Sequence, residues 1–367
     1  MFKKRKISRI AYLLMSLLLA AGLVFPMTAL PVKGANPQKI ANMVIFVKMK
    51  GDTRDIYNAS SVTDWGAVNY NWQLIRNMYD GGTGNSGDNS FSNYIKTISE
   101  GKIEVVNVFP QEYIGDDGVA RVRTLELSRE RYDQDSQMIT EVLAAINNGT
   151  IPVDTSLIKL DNLNRGILDN LTIVVQGNDI NGQNHSYRAQ YGGTETFGAA
   201  GLRVSEYNAL YSAALVTEDG SFGASQQQGV ISHEFLHTLD FPDLYRFDNS
   251  GTPVGMWDIM GGVSSFLQYP LGYLRAQKGW ITSSEITESG TYTLTAVSEQ
   301  GGNKLFTIKT PMPEADSEII CLEYRKKNPD INGFERSLYS SGLLMYRVDT
   351  GIEDWTNSGG ENYIYVY

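Results

Sequence analysis

A chain of 367 residues, 42% hydrophobic and 20% charged, fits a globular protein too long for one ordinary core, so two lobes are expected. Its net charge of −10 argues against nucleic acid and anionic membrane surfaces as partners. The single cysteine, Cys321, excludes an internal disulfide, so an exported form must rely on its core, aided by any bound ions.

In chain order, the segment MFKKRKISR carries five positive charges and no acid, and an apolar run follows from Ile10 to about Leu30. This is the pattern of a secretory signal peptide. The run is also long enough for a membrane anchor. Pro26 and the small residues Ala29, Gly34 and Ala35 favour cleavage instead, with residues 1–34 as the signal and no stable membrane association afterwards. Cleavage removes six basic residues (Lys3, Lys4, Arg5, Lys6, Arg9, Lys33) and leaves 25 bases against 41 acids, a net charge of −16.

NMVIFVKM (42–49) is expected to be a buried strand. Ser90 offers an N-cap, Phe91, Tyr94, Ile95 and Ile98 follow at helical spacing, and Gly101 closes that helix. KIEVVNVF (102–109) returns as a strand, SQMITEVLAAINNG (136–149) is an amphipathic helix ending at Gly149, and NLTIVVQG (170–177) is a second buried strand. The stretch 181–228 is loop-rich, and GMWDIMGG (255–262) is a tight turn bounded by glycines. TYTLTAV, KLFTIKT, EIICLEYR and GLLMYRVD alternate as antiparallel strands, with Cys321 a buried structural thiol. The expected divisions are a signal peptide at 1–34, a catalytic domain at 35–285 and a β-rich region at 286–367. The chain stops within YIYVY, as if a strand continued, so more chain is expected beyond it.

Two of the three histidines stand in VISHEFLHTLDFPDLY. His233 and His237 lie at i and i+4, so on a helix they share one face and can take two corners of a tetrahedral zinc site. Glu234 points beside the metal, where a carboxylate can accept a proton from an activated water. HExxH thus encodes ligand, base and ligand within about a turn and a half. Asp243, six residues after His237, stands where metzincins place their third ligand. Asp240 occupies the intervening position that usually holds Gly, and aspartate tolerates the left-handed conformation the turn needs at some cost. Met260 in WDIMGG fits a Met-turn under the metal. His185 lies in a polar loop, where a solvated surface role is the simpler reading.

HEFLHTLDFPDLY followed by VGMWDIMGG resembles the immune inhibitor A family of secreted bacterial metallopeptidases. FSNYIKTISEGKIEV, LEYRKK, SGLLMYRVDT and GTYTLTAV after KGWI are similar to other parts of that family, so the likeness runs over roughly residues 40–367. The resemblance implies an α+β fold with a zincin or metzincin-like catalytic domain and an antiparallel β-rich region after it. It implies a zinc endopeptidase exported by a Gram-positive bacterium, acting on extracellular proteins or peptides. His233, His237 and Asp243 would be the zinc ligands and Glu234 the general base. DNLNRGILDN (161–170) resembles a Ca²⁺ loop, but Leu163 and Arg165 stand where oxygen ligands are wanted and Arg165 would repel the ion. The rival reading is a non-catalytic secreted binding or surface protein on a metallopeptidase scaffold. The intact Glu234, which a structural metal site does not need, argues against it. A zinc enzyme acting on a non-peptide substrate is a weaker third reading.

Overall fold

The computed structural model describes residues 36–367 apart from 54, 56, 58, 64–65, 71, 82–88, 131–134, 155–158, 177–185, 199–200, 212–226, 248–250, 252, 263–266, 311–316, 330–332, 353–355 and 358–361. The expected signal peptide and His185 lie outside the described residues. The architecture is α+β, with several sheets and few helices.

The chain opens with β1 (Gln38–Lys48), a hairpin of β2 (Ala59–Thr63) and β3 (Gly66–Tyr70), then α1 (Trp72–Asp80), α2 (Phe91–Ile98) and β4 (Ile103–Val108). A hairpin of β5 (Glu112–Ile114) and β6 (Ala120–Val122) leads to β7 (Thr124–Glu126), α3 (Asp135–Asn147), β8 (Asn170–Gln176) and β9 (Tyr187–Gln190). The small pair β10 (Thr196–Phe197) and β11 (Leu202–Arg203) precedes β12 (Glu206–Tyr211) and α4 (Gln227–Thr238). Two 3₁₀ turns, Gly255–Trp257 and Ile259–Gly261, and α5 (Gly272–Gln277) lead to β13 (Ser283–Glu285), β14 (Leu305–Lys309), β15 (Glu318–Arg325), β16 (Gly342–Asp349) and β17 (Ile364–Val366).

The main sheet runs β4-β1-β8-β12-β9, with β7 taking over from β4 along the end of β1. All its strands are parallel except β9, which pairs antiparallel with β12 at one edge. Strands buried on both faces need near-continuous apolar runs, and β1 supplies one. Its Ile40, Val44 and Phe46 join the core on one side, with α1, α2 and α4; its Ala41, Met43, Ile45 and Val47 join the core on the other, with α3. The helix expected after Ser90 forms as read. The Ser90 hydroxyl accepts the Asn93 N–H, and Phe91, Tyr94, Ile95 and Ile98 are buried.

The second sheet runs β13-β14-β15-β16-β17, and its first pair is parallel. TYTLTAV does not add a strand to it. Thr291, Tyr292 and Thr293 are exposed, and the segment meets the sheet through a bridge between Ala296 and Tyr324 and the Tyr292 ring against Phe306. The loop-rich reading of 181–228 also needs correction, since β9 and β12 lie within it and complete the main sheet.

The two regions share one apolar core. Phe235, Met260 and Tyr273 pack in the same cluster as Leu305, Cys321, Leu344 and Tyr346. A buried ion-pair hub reinforces the contact. Arg325 is held between Glu323 and Glu335; Glu323 accepts the Gly272 N–H and Glu335 the Tyr269 N–H. Cys321 is fully buried, and desolvation pushes its thiol well above the usual range, as expected of an inert packing residue.

Candidate metal centre

Helix α4 brings His233 and His237 onto one face, one turn apart. Their rings stand 4.9 Å between centroids and nearly perpendicular, at 89°. The helix ends one residue later, at Thr238, in a Schellman motif: the Phe241 N–H reaches the Leu236 carbonyl and the Asp240 N–H the His237 carbonyl. Asp240 holds the left-handed residue of this motif at φ 56°, as the position usually filled by Gly requires. The reversal carries Asp243 back beneath the histidines.

Asp243 Oδ1 then lies 3.1 Å from His233 Nε2 and 3.3 Å from His237 Nε2. Ligands held about 2.0–2.1 Å from a tetrahedral zinc sit about 3.3 Å apart, so Asp243 stands at that spacing from each imidazole nitrogen, and all three atoms lie within 4.8 Å of one another. The remaining imidazole nitrogens are already committed. His233 Nδ1 faces the Ile259 carbonyl at 3.0 Å and His237 Nδ1 the Phe241 carbonyl at 2.8 Å. A carbonyl only accepts, so each Nδ1 carries a proton, and in the neutral rings each Nε2 keeps a lone pair on the side of Asp243, the tautomer a metal ligand needs. Burial opposes ionisation of Asp243, whereas in the protonated rings the Nε2–H groups face it and hold its carboxyl well below the usual range. Among the described residues, His233, His237 and Asp243 are the one group of three or more such side chains placed to share an ion. The donor set fits zinc: two imidazoles and a carboxylate, with a cleft on the remaining side.

Glu234 is buried beside this group, and desolvation raises its carboxyl pKa. It faces a cleft of about 460 Å³ together with His237 and Asp243. The edge strand β9 forms one wall through Arg188, Ala189 and Gln190, and Tyr245 and Phe247 form another. Tyr245 stacks on His233 at 6.1 Å between centroids.

The turn expected around Met260 forms. Met260 itself is buried in the core, but the contacts that reach the site are made by its backbone and its neighbour's. The Ile259 carbonyl takes the His233 ring proton, and the Met260 carbonyl takes the Leu244 N–H. The turn therefore touches both the helix ligand and the loop ligand. Asp258 fixes it, one carboxylate oxygen accepting Met260 N–H and the other Leu271 N–H. At the helix end, Thr238 donates to Asn170 on β8, within a buried chain of amides and hydroxyls that joins Asn42, Thr172 and Asn208.

The acids of 161–170 have other work. Asp161 accepts the N–H groups of Arg165 and Gly166; Asp169 accepts those of Ala41, Asn162 and Leu163. That loop is ordered by its own amides. Residues that escaped the reading of the sequence include Tyr245 and Arg188 on the cleft walls, Asp258 in the turn, and Thr356 and Asn357, which donate to the Asp243 carbonyl. Asp258 had a signal, an aspartate two residues before a turn N–H it can accept. Thr356 and Asn357 had none, for TNSGG has the composition of a solvated turn. Compared with protein-family models and with curated proteins, the chain matches none of either.

Proposed function

We propose that the chain is a zinc-dependent endopeptidase, with His233, His237 and Asp243 as metal ligands and Glu234 as general base. The observation that carries this reading is the pair of ligand spacings, 3.1 and 3.3 Å, beside a buried glutamate in a cleft walled by a strand edge. A zincin or metzincin-like fold of the immune inhibitor A type is part of the proposal. It is supported by the antiparallel edge strand, the left-handed Asp240 and the turn at Met260. Export through residues 1–34 is proposed from the sequence, and among the described residues no helix is long and apolar enough to cross a membrane.

Zinc, when bound, polarises a carbonyl and lowers the pKa of a coordinated water to about 7. The chain's own groups do the rest. Among the described residues no strand pairs with the outer edge of β9, which suits it to an extended peptide laid across the cleft. Glu234 accepts a proton as the water oxygen bonds to the peptide carbon, then delivers it to the amine nitrogen as the C–N bond breaks. The test is Glu234→Gln, assayed on a quenched peptide library with metal analysis of the same sample. The expected result is one zinc per chain and a loss of about 10²–10⁴-fold in turnover. Retained turnover would remove Glu234 as the base, and a wild-type protein that holds no zinc would remove the reading itself.

A further inference from the structure

The third ligand sits on an irregular loop, and the main chain of such a loop must find partners outside itself. Leu244 N–H goes to Met260, as described. The two carbonyls go elsewhere, to a segment 113 residues further along the chain. The Asp243 carbonyl accepts from Thr356 Oγ1 at 2.7 Å and from the Asn357 backbone N–H at 3.1 Å. The Leu244 carbonyl accepts from Asn357 Nδ2 at 3.0 Å.

Asn357 is itself fully buried and its amide is fully used. Its second Nδ2 hydrogen goes to the Ile364 carbonyl at 2.7 Å, and its Oδ1 accepts the Ile364 N–H at 2.9 Å. Asn357 thus grips β17 as a neighbouring strand would, and grips the ligand loop with what is left. β17 is in turn bonded to β16. Two outlying contacts brace the same loop, Arg246 to Asn362 at 2.7 Å and Val366 N–H to the Pro253 carbonyl at 3.1 Å. An aspartate at 357 would have no Nδ2 hydrogens, and a glutamine would be one methylene too long.

We propose that Thr356 and Asn357 are positioning residues for the third metal ligand, so that the second sheet is a working part of the metal centre. The inference rests on the zinc reading above and extends it: the two histidines are set by α4, its cap and the Ile259 carbonyl, whereas the aspartate draws also on the C-terminal sheet. Groups that orient a ligand without touching the ion typically change metal affinity 10–100-fold when removed.

The test measures zinc affinity directly, by competition between the full chain and a chromogenic chelator, for wild type, Thr356→Val, Asn357→Ala, Asp243→Ala and Val142→Ala. Val142 is buried in α3, in the core on the other side of the main sheet, and serves as a control for general destabilisation, with apo melting temperatures taken alongside. The expected result is about 10–100-fold weaker zinc binding in Asn357→Ala and a smaller loss in Thr356→Val. Val142→Ala should keep the wild-type affinity while melting lower. Thr356→Val exchanges only a hydroxyl for a methyl, so it decides the matter if Asn357→Ala fails to fold. Wild-type affinity in Thr356→Val, or an equal loss in Val142→Ala, overturns the proposal. Failure of the zinc reading would look different, since Asp243→Ala would then bind zinc as wild type does, or wild type would not bind it.

Discussion

The ligand helix and the ligand loop reach the same point from unlike supports. His233 and His237 are spaced by the helix itself, and the cap that ends α4 supplies the carbonyl that orients His237. Asp243 has no such local frame. Its loop is bonded to the Met260 turn on one side and to Thr356 and Asn357 on the other. A helix carries its geometry in its own hydrogen bonds, whereas a loop borrows geometry from whatever surrounds it. The histidine half of the centre should therefore resist distant changes, and the aspartate half should respond to them.

The largest effect that tests this contrast comes from the buried hub. Arg325 compensates Glu323 and Glu335, and all three are fully buried. Arg325→Met leaves two carboxylates without a counter-charge, and breaking a buried pair in this way costs about 3–5 kcal/mol. Denaturant unfolding of the apo protein should show that loss. Native-state hydrogen exchange should show the Leu244 amide opening together with β15 and β16. If Leu244 exchanges with α4 instead, the loop draws its support from the helix and the contrast fails.

Asp258 gives a second test, because it fixes the turn that both halves touch. Burial raises its carboxyl pKa to about 6, although the Leu271 and Met260 amides pull it down. The unfolded value is near 3.9. With the folded value the higher of the two, folding is helped fully below about pH 4, and that help is lost as pH rises through about 6. The stability of wild type relative to Asp258→Asn should therefore fall by about 2–3 kcal/mol between pH 4 and pH 7. Urea unfolding of both proteins across that range would show it. A flat difference would mean that the two amide bonds outweigh the burial.

The same contrast explains what could be read from the chain. β1, β8 and α2 declare themselves because each is a run whose periodicity matches its burial, and Ser90 marks the start of α2. HEFLH is legible because one helix turn contains the whole geometry. α5 is six residues long and follows no capping signal, since Leu271 precedes it. β9 is four residues with one partner, too short for an alternation to stand out. Asn357 is out of reach for a deeper reason. Its role depends on β17 and the ligand loop meeting in space, and no local pattern records that meeting.

The smallest effect lies at the helix cap. Asp240 holds φ 56°, a conformation that costs a non-glycine residue about 1–2 kcal/mol, and Gly adopts it freely while losing more entropy on folding. Its side chain is largely exposed, and the ion pair with Lys278 at 3.3 Å is of a kind that adds little. Asp240→Gly should therefore raise stability by about 0.5–1 kcal/mol, seen as a higher melting temperature of the apo protein. Zinc affinity should not change, because the contact that orients His237 runs to the Phe241 carbonyl and not to any atom of the Asp240 side chain. A lower melting temperature, or weaker zinc binding, would show that the aspartate does more at this turn than occupy a glycine's place.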